Sequence, residues 1–368
     1  MGKPKLSICY PTYNRADIIY GNVMRCLKYE GDDIEVIVQD NCSTDHTEKI
    51  LSEIKDPRFH YYRNSENIGP VNLMTILTKS QANFALLLSD EDEVIVERIP
   101  NVLALLNGAA SMCGVIKTTV SVFGKVNTKY DDEKKESGFS SINRILFHTY
   151  MSGYIYNVDR IRCLSRDDTN YFRVFSKGGS YVFLYLAILI LRNTSLYTSS
   201  LVFVNHRDEG EHDISTYYFN GKHVYSPDGR VEVFRKHFDC LNRCVFSMEQ
   251  KKFFVRRMIY AVWDYSCPEW LSTCIDSIKT KPDYGILFID DDFNIEKVMT
   301  KIENDLVDYA DSIGFCPKQS FYDELMGEDD LLDEYKKNKN QIVRETNKLL
   351  EEYYKIKFEI VDSKVLKV

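Results

Sequence analysis

Asp90 and Asp92 stand at D-x-D spacing in the run LLLSDEDEV, Leu86 to Val94. Two carboxylates so placed behind a buried strand share one side of a tight turn. Together they can hold a hard divalent cation, which takes oxygen ligands and completes its shell with phosphate oxygens. Alone the pair is a weak signal, because acidic residues also end strands as solvated turns. Its company shifts the balance. Asp40 opens the cluster DNCSTD behind another apolar run, where a carboxylate can accept hydrogen bonds from a ribose or a base N–H. Ser43 and Asp45 in that cluster can equally cap the helix that follows. Pro11, Thr12, Tyr13, Asn14 and Arg15 close a first apolar run. Pro11 fixes the exit, Tyr13 offers a ring face for a base and Arg15 offers charge; the same segment also serves as a helix N-terminus.

The elements that must position these residues are legible as alternation. Lys5 to Tyr10, Ile34 to Val38, Phe59 to Tyr62 and Phe84 to Leu88 read as strands; Arg15 to Tyr29, Thr47 to Ile54 and Val71 to Lys79 read as helices between them. Such alternation with short loops is the signature of an α/β fold, a parallel sheet with helices on both faces. Ligands of such sheets bind beyond the carboxyl ends of the strands, and PTYNR, DNCSTD, RNSENIG and SDED all fall there. Further along, Asp131 to Glu136 reads as a charged loop, Met151 to Val158 as a strand, and Leu201 to Asn205 as a strand followed by HRDEGEHD. The apolar run Tyr181 to Leu191 is a buried helix, because spanning a bilayer takes roughly 20 residues. Beyond about Val231 long, charge-rich helical patterns predict a mostly helical C-terminal domain.

Composition narrows the classes. In 368 residues, 47 Lys and Arg against 55 Asp and Glu give a formal net charge of −8, which disfavours nucleic acid as the partner. The ten cysteines are scattered without a CxxC, so free thiols in a reducing cytoplasm are expected rather than a zinc site or a disulfide scaffold. The start of the chain has no signal-peptide pattern.

Taken in order, PTYNR, VQDNCSTD, DPRFHYYRNSENIG and LLLSDED resemble the nucleotide-binding half of a family 2 glycosyltransferase, from about Leu6 to Val94. The four together are specific; each alone is not. The resemblance implies the GT-A fold, a Rossmann-like mixed sheet flanked by helices, over residues 1–235, with 1–95 the nucleotide-binding half and 96–235 the acceptor half. The helical domain would then be 236–368. It also implies inverting transfer of a sugar from a nucleotide-diphosphate donor, a UDP-sugar by preference, to a glycan or lipid-linked acceptor in bacterial surface polysaccharide synthesis. By the same resemblance Pro11, Thr12 and Tyr13 lie beside the nucleoside and Asp40 bonds the base or ribose, while Asn41 stands where the family often has a second Asp. Arg63, Glu66, Asn67 and Gly69 close over the nucleotide. Asp92 coordinates Mn2+ or Mg2+, and Asp90, nearer the ribose, joins it; Glu91 and Glu93 point elsewhere.

The chain departs from the family at the base. Relatives carry a Glu-Asp pair at the start of a helix ending in Leu-Arg, whereas here the helix ending at Leu191-Arg192 begins with Gly179-Ser180. Downstream, Glu209 or Glu211 is the expected base, Arg207 a phosphate contact and His212 an extra metal ligand, against the alternative of a solvated acidic loop. Gly153 matches a place where relatives bring backbone close to the donor sugar or acceptor, or is a plain strand glycine. Lys251 to Arg257 interleaves bases with aromatics. This is the pattern of a helix on an anionic membrane or, at roughly three to one, of a helix with a buried aromatic face. The triplet Asp290-Asp291-Asp292 reads as a helix N-cap region. A cytoplasmic enzyme is expected, peripheral at the inner face of the cell membrane if that stripe binds lipid, and self-associating if the C-terminal helices pair. The alternative is a catalytically inactive nucleotide-sugar-binding subunit. A nucleotidyltransferase is disfavoured because PTYNR is not a Gly-rich phosphate loop.

Overall fold

The computed structural model describes residues 2–122, 124–148, 150–175, 181–206, 218–219, 222–280, 287–289 and 293–365. The chain divides into two compact units, Met1–Gly210 and Glu211–Val368. That division precedes the expected boundary at 235/236, which falls inside a helix, Pro227–Leu241.

The first unit begins with β1 (Leu6–Thr12), α1 (Ala16–Cys26), β2 (Ile34–Asp40), α2 (Thr47–Ser52), β3 (Phe59–Arg63), α3 (Asn72–Lys79) and β4 (Phe84–Leu87). β1, β2 and β4 are near-continuous apolar runs because both of their faces are covered, as parallel strands require; every residue of β2 and β4 is buried. The two-residue β5 (Glu93–Val94) precedes α4 (Ile99–Asn107), β6 (Val115–Val122), β7 (Lys125–Thr128), β8 (Glu133–Lys135) and α5 (Phe139–Ile145). Then come β9 (Tyr154–Asn157), α6 (Val158–Arg162), α7 (Arg166–Phe175), the wholly buried α8 (Val182–Leu191) and β10 (Leu196–His206).

The strands form one mixed sheet in the order β3-β2-β1-β4-β9-β6-β10-β5, with β7 on β6 and β8 on β10. The pairs β1–β2, β2–β3, β1–β4 and β6–β10 are parallel, while β9 runs antiparallel between β4 and β6. Register sets Thr12 beside Asp40 and Asp40 beside Arg63 at one edge. The mixed sheet with flanking helices is as expected. Two local expectations are corrected: part of the charged segment 131–136 is β8, antiparallel to β10, and the strand after α8 starts at Leu196 rather than Leu201. β5 pairs antiparallel with Val204 and Asn205, so the acidic turn is tied to the end of β10.

The second unit has a two-stranded ribbon, β11 (Tyr218–Phe219) and β12 (Lys222–His223), and is otherwise helical: α9 (Pro227–Leu241), α10 (Met248–Asp264), α11 (Trp270–Thr280), α12 (Ile295–Ser312), α13 (Lys318–Gly327) and α14 (Asp329–Val365). A π-helical turn containing Pro268, Tyr265–Glu269, joins α10 to α11; proline lacks the N–H that an uninterrupted helix needs there. The basic-aromatic stripe lies on α10. Phe254 and Val255 are buried, Arg256 pairs with Glu324 at 2.8 Å, and Lys251 lies over the Phe315 ring. Asn294 caps α12 by accepting from the Lys297 N–H; the Asp290–Asp292 triplet lies outside the described residues. No disulfide links the ten cysteines. Among the described residues no helix is long and apolar enough to cross a membrane.

Candidate active site

The carboxyl ends of β1, β2, β3, β4 and β10 gather the polar residues at one edge of the sheet. Asp40 is fully buried. One of its oxygens accepts from the Ser43 N–H at 2.8 Å and the other from the Tyr61 hydroxyl at 2.7 Å. The Arg63 Nε stands 3.6 Å away, and its Nη2 donates to the Ser43 carbonyl. Burial, then Asp40 itself, pushes the Tyr61 phenol above its usual value, so the phenol remains a donor. Pro11 is the penultimate residue of β1; Tyr13, just past the strand, is exposed. Asn14 adopts a left-handed backbone (φ 54°), an angle asparagine tolerates. It exchanges hydrogen bonds with Ser43 and Thr44 across the gap between the first two strands. Asp45 accepts from the N–H groups of Ala16 and Thr47, holding the starts of α1 and α2 together.

Asn41 is occupied on all sides. Its amide NH2 donates to Asn67 Oδ1 at 2.7 Å and to the Gly69 carbonyl at 3.4 Å; its oxygen accepts from Asn64 Nδ2 at 3.0 Å and from the Ile68 N–H at 2.9 Å. An asparagine amide has two donors and two acceptor positions. Asn41 therefore shapes the 64–69 loop and has nothing left for a ligand. Asn67 also accepts from the Gly69 N–H, where a positive φ of 58° suits glycine.

The acidic turn separates into two parts. The Asp90 carboxylate faces β1 and α1, accepting from the Thr12 hydroxyl at 2.8 Å and from Arg15 Nη1 at 3.1 Å; its backbone carbonyl accepts from Asn22. Burial raises the Asp90 carboxyl, while Arg15 and the Thr12 hydroxyl pull it back. Glu93 pairs with Arg25 at 2.5 Å, pointing away from the turn as expected. Asp92 faces the other way. His206 Nδ1 lies 2.8 Å from its Oδ1, and the Tyr150 hydroxyl lies 2.8 and 2.7 Å from its two oxygens. The expectation that Glu91 points away does not hold. One ligand atom each from Glu91, Asp92 and His206 lie within 4.8 Å of one another, and Glu91 is also held by Arg15 at 2.6 Å. Two carboxylates and an imidazole are a fitting donor set for Mn2+ or Mg2+; Asp90 is not in that group.

Lys117 lies beneath. Its ammonium donates to the carbonyls of Tyr150 and Ser152 at 3.1 and 2.6 Å and lies over the Tyr154 ring. Burial pushes it down to about 7, with Asp92 opposing. Gly153 has φ +88°, and a Cβ there would meet Thr118 and Val120 of β6 at about 3 Å. The close approach of β6 to the start of β9 thus accounts for this glycine.

Residues 7–176 match the sequence profile described as glycosyl transferase family 2. The match places a glycosyl transferase family 2 domain within the first unit. Among the proteins this chain is similar to are the succinoglycan biosynthesis protein ExoO of Rhizobium meliloti and a GalNAc(5)-diNAcBac-PP-undecaprenol beta-1,3-glucosyltransferase of Campylobacter jejuni. The first is 26% identical over 113 residues, which are 30% of this chain and 32% of that protein. The second is 30% identical over 96 residues, 25% of this chain and 31% of that protein. The chain thus spans about a third of the length of these relatives. Among solved structures it resembles residues 1–349 of S. aureus TarS, crystallised with UDP-GlcNAc. The TM-score is 0.56 at 19% identity, over 88% of this chain and 92% of that one, a likeness that shows the fold.

Arg207, Glu209, Glu211 and His212 lie outside the described residues, as do Gly179 and Ser180. Asp168, in α7, is bound by Arg192 through both oxygens, at 2.9 and 2.5 Å, and by Ser165. Sequence reasoning passed over His206, Tyr150 and Lys117. A signal existed for the first, since His206 ends the strand run VFVNH and the carboxyl edge is where ligands bind. Tyr150 and Lys117 carry no motif; only the sheet topology brings them together.

Proposed function

We propose that this chain transfers a sugar, with inversion, from a nucleotide-diphosphate donor, UDP-linked by preference, to a glycan or lipid-linked acceptor in bacterial surface polysaccharide synthesis. The observation that carries it is the division of the acidic turn at the carboxyl edge of the sheet. Asp90 is turned toward the Thr12–Arg15 side, and Asp92 toward Glu91 and His206. The two aspartates then have separate tasks. Asp90 and Arg15 stiffen the wall of the nucleoside pocket, where Tyr13 offers its face to the base and Asp40 a carboxylate to the base or ribose. Asn67 and Gly69, held by Asn41, form the loop that covers the nucleotide. Glu91, Asp92 and His206 would hold a divalent cation. Bound there, manganese or magnesium would neutralise the charge that develops on the departing diphosphate.

In the transfer itself the acceptor oxygen bonds to the anomeric carbon as the bond from that carbon to the diphosphate breaks, and a carboxylate takes the acceptor proton. Glu209 and Glu211 are the proposed bases and Arg207 the proposed diphosphate contact. The names of the relatives support the polysaccharide setting, and TarS with UDP-GlcNAc supports a UDP donor. The test is nucleotide release from a panel of UDP-, GDP- and CDP-sugars with Mn2+, with Glu209→Gln and Glu211→Gln assayed alongside. Release from a UDP-sugar, lost in one of the two variants, is expected. No release from any donor would overturn the enzymatic reading, and full turnover in both variants would overturn the base.

A further inference from the structure

Tyr150 Oη is 2.8 and 2.7 Å from the two oxygens of Asp92 and 2.6 Å from His206 Nδ1. Asp92 and His206 are themselves 2.8 Å apart. A single hydroxyl oxygen thus sits astride the carboxylate and against the imidazole, the position an ion shared by these two side chains would take. Metal–ligand bonds of the relevant cations are roughly 2.0–2.2 Å, so a cation at that point and the phenol oxygen exclude each other. The Tyr150 ring stands edge-on to the His206 ring, with centroids 5.4 Å apart.

The backbone around this tyrosine is fixed independently of its hydroxyl. Lys117 binds the Tyr150 and Ser152 carbonyls, and the Ser152 hydroxyl accepts from the Ser89 N–H at the start of the acidic turn. The side chain can therefore leave by rotation about its own bonds while the segment stays anchored. Tyr150 is partly buried and packs against the edge of the core rather than within it.

We propose that Tyr150 is a latch on the cation site: its hydroxyl occupies the position between Asp92 and His206, and a divalent cation binds by displacing it. The proposal rests on Glu91, Asp92 and His206 being the cation ligands. The hydroxyl bonds the buried Asp92 carboxylate alongside His206, and an entering cation must compete with it. Removing the competitor tightens cation binding, whereas removing a ligand would weaken it.

The experiment is calorimetric titration of Mn2+ into wild type, Tyr150→Phe, Asp92→Asn and His206→Ala, each with and without uridine diphosphate. Tyr150→Phe should bind Mn2+ about fivefold more tightly than wild type, the order expected when one competing hydrogen bond is removed. It should also show the larger Mn2+-induced rise in Tm, while Asp92→Asn and His206→Ala lose binding. Equal or weaker binding by Tyr150→Phe, with the other two still impaired, overturns the latch and leaves the site standing. Unchanged binding in Asp92→Asn and His206→Ala, or no binding by any protein, overturns the site itself. Far-ultraviolet circular dichroism and the unfolding midpoint establish that Tyr150→Phe is folded.

Discussion

His206 Nδ1 lies 2.8 Å from Asp92 Oδ1, although the two residues are 114 positions apart in the chain. The contact is made by topology: Asp92 follows β4, and His206 ends β10 at the same edge of the sheet. His206→Asn keeps a polar side chain but withdraws the imidazole. It is expected to raise the Mn2+ concentration needed for half-maximal nucleotide release by about tenfold or more, roughly the loss of one ligand or its orienting partner. A titration of initial rate against Mn2+ at saturating donor checks this. An unchanged midpoint would remove His206 from the cation site.

Arg15 bridges Asp90 and Glu91. Arg15→Met preserves much of the aliphatic length and leaves the buried Asp90 carboxylate with the Thr12 hydroxyl as its remaining side-chain partner. Breaking such a pair from one side costs about 3 kcal/mol, so urea unfolding should show that loss. The double variant Arg15→Met with Asp90→Asn should recover a good part of it, because no unpaired charge then remains. Equal stability of the single and double variants would mean that the pair contributes through packing alone.

Asn41→Asp replaces an NH2 by an oxygen facing Asn67 Oδ1 and the Gly69 carbonyl. Three acceptors then oppose one another where two donor bonds were made. The 64–69 loop should loosen, raising the donor KM about tenfold, worth roughly 1.4 kcal/mol, with a smaller change in kcat. A fall in kcat at unchanged KM would place Asn41 in the chemistry rather than in loop shape.

His237 on α9 is fully buried, stacked on Phe234, with Nδ1 3.1 Å from the Val233 carbonyl. Burial pushes its pKa down to about 4, against 6.5 for the ordinary side chain. The unfolded chain therefore binds more protons than the folded one between these values, and stability falls as pH falls there. The contribution is complete above about pH 6.5 and is lost as pH drops toward about 4. Unfolding free energies at pH 7.5, about 6 and about 5 should fall more steeply for wild type than for His237→Leu. Parallel slopes would show that the ring does not change protonation on folding.

Much of the first unit was legible because its central strands are covered on both faces and therefore read as unbroken apolar runs. Their carboxyl ends carry the polar clusters, so Thr12, Asp40, Asp90 and Asp92 could be placed without coordinates. The direction in which each side chain faces could not. Asp92 turns toward β10, Asp90 toward α1, and Glu91 stands between them on Arg15; one residue of offset in a tight turn decides this below the resolution of any pattern. β8 was hidden because DDEKKE is charged throughout; it is an edge strand, where charge is tolerated and even protective. Asn41 resembled a conservative replacement for an aspartate, and only its four partners reveal that it holds a loop.

The two-residue strand β5, bound to Val204 and Asn205, has a consequence in time. The proposed nucleoside wall, built on Thr12, Arg15, Asp40 and Asp90, is complete in the chain once residue 94 exists. His206, one of the two partners of Asp92, arrives with the strand that fastens the acidic turn more than a hundred residues later. On the ribosome, the half of the site proposed to grip the nucleotide is synthesised well before the half that would grip the ion. A chain cut short before β10 would be left with the first and without the second.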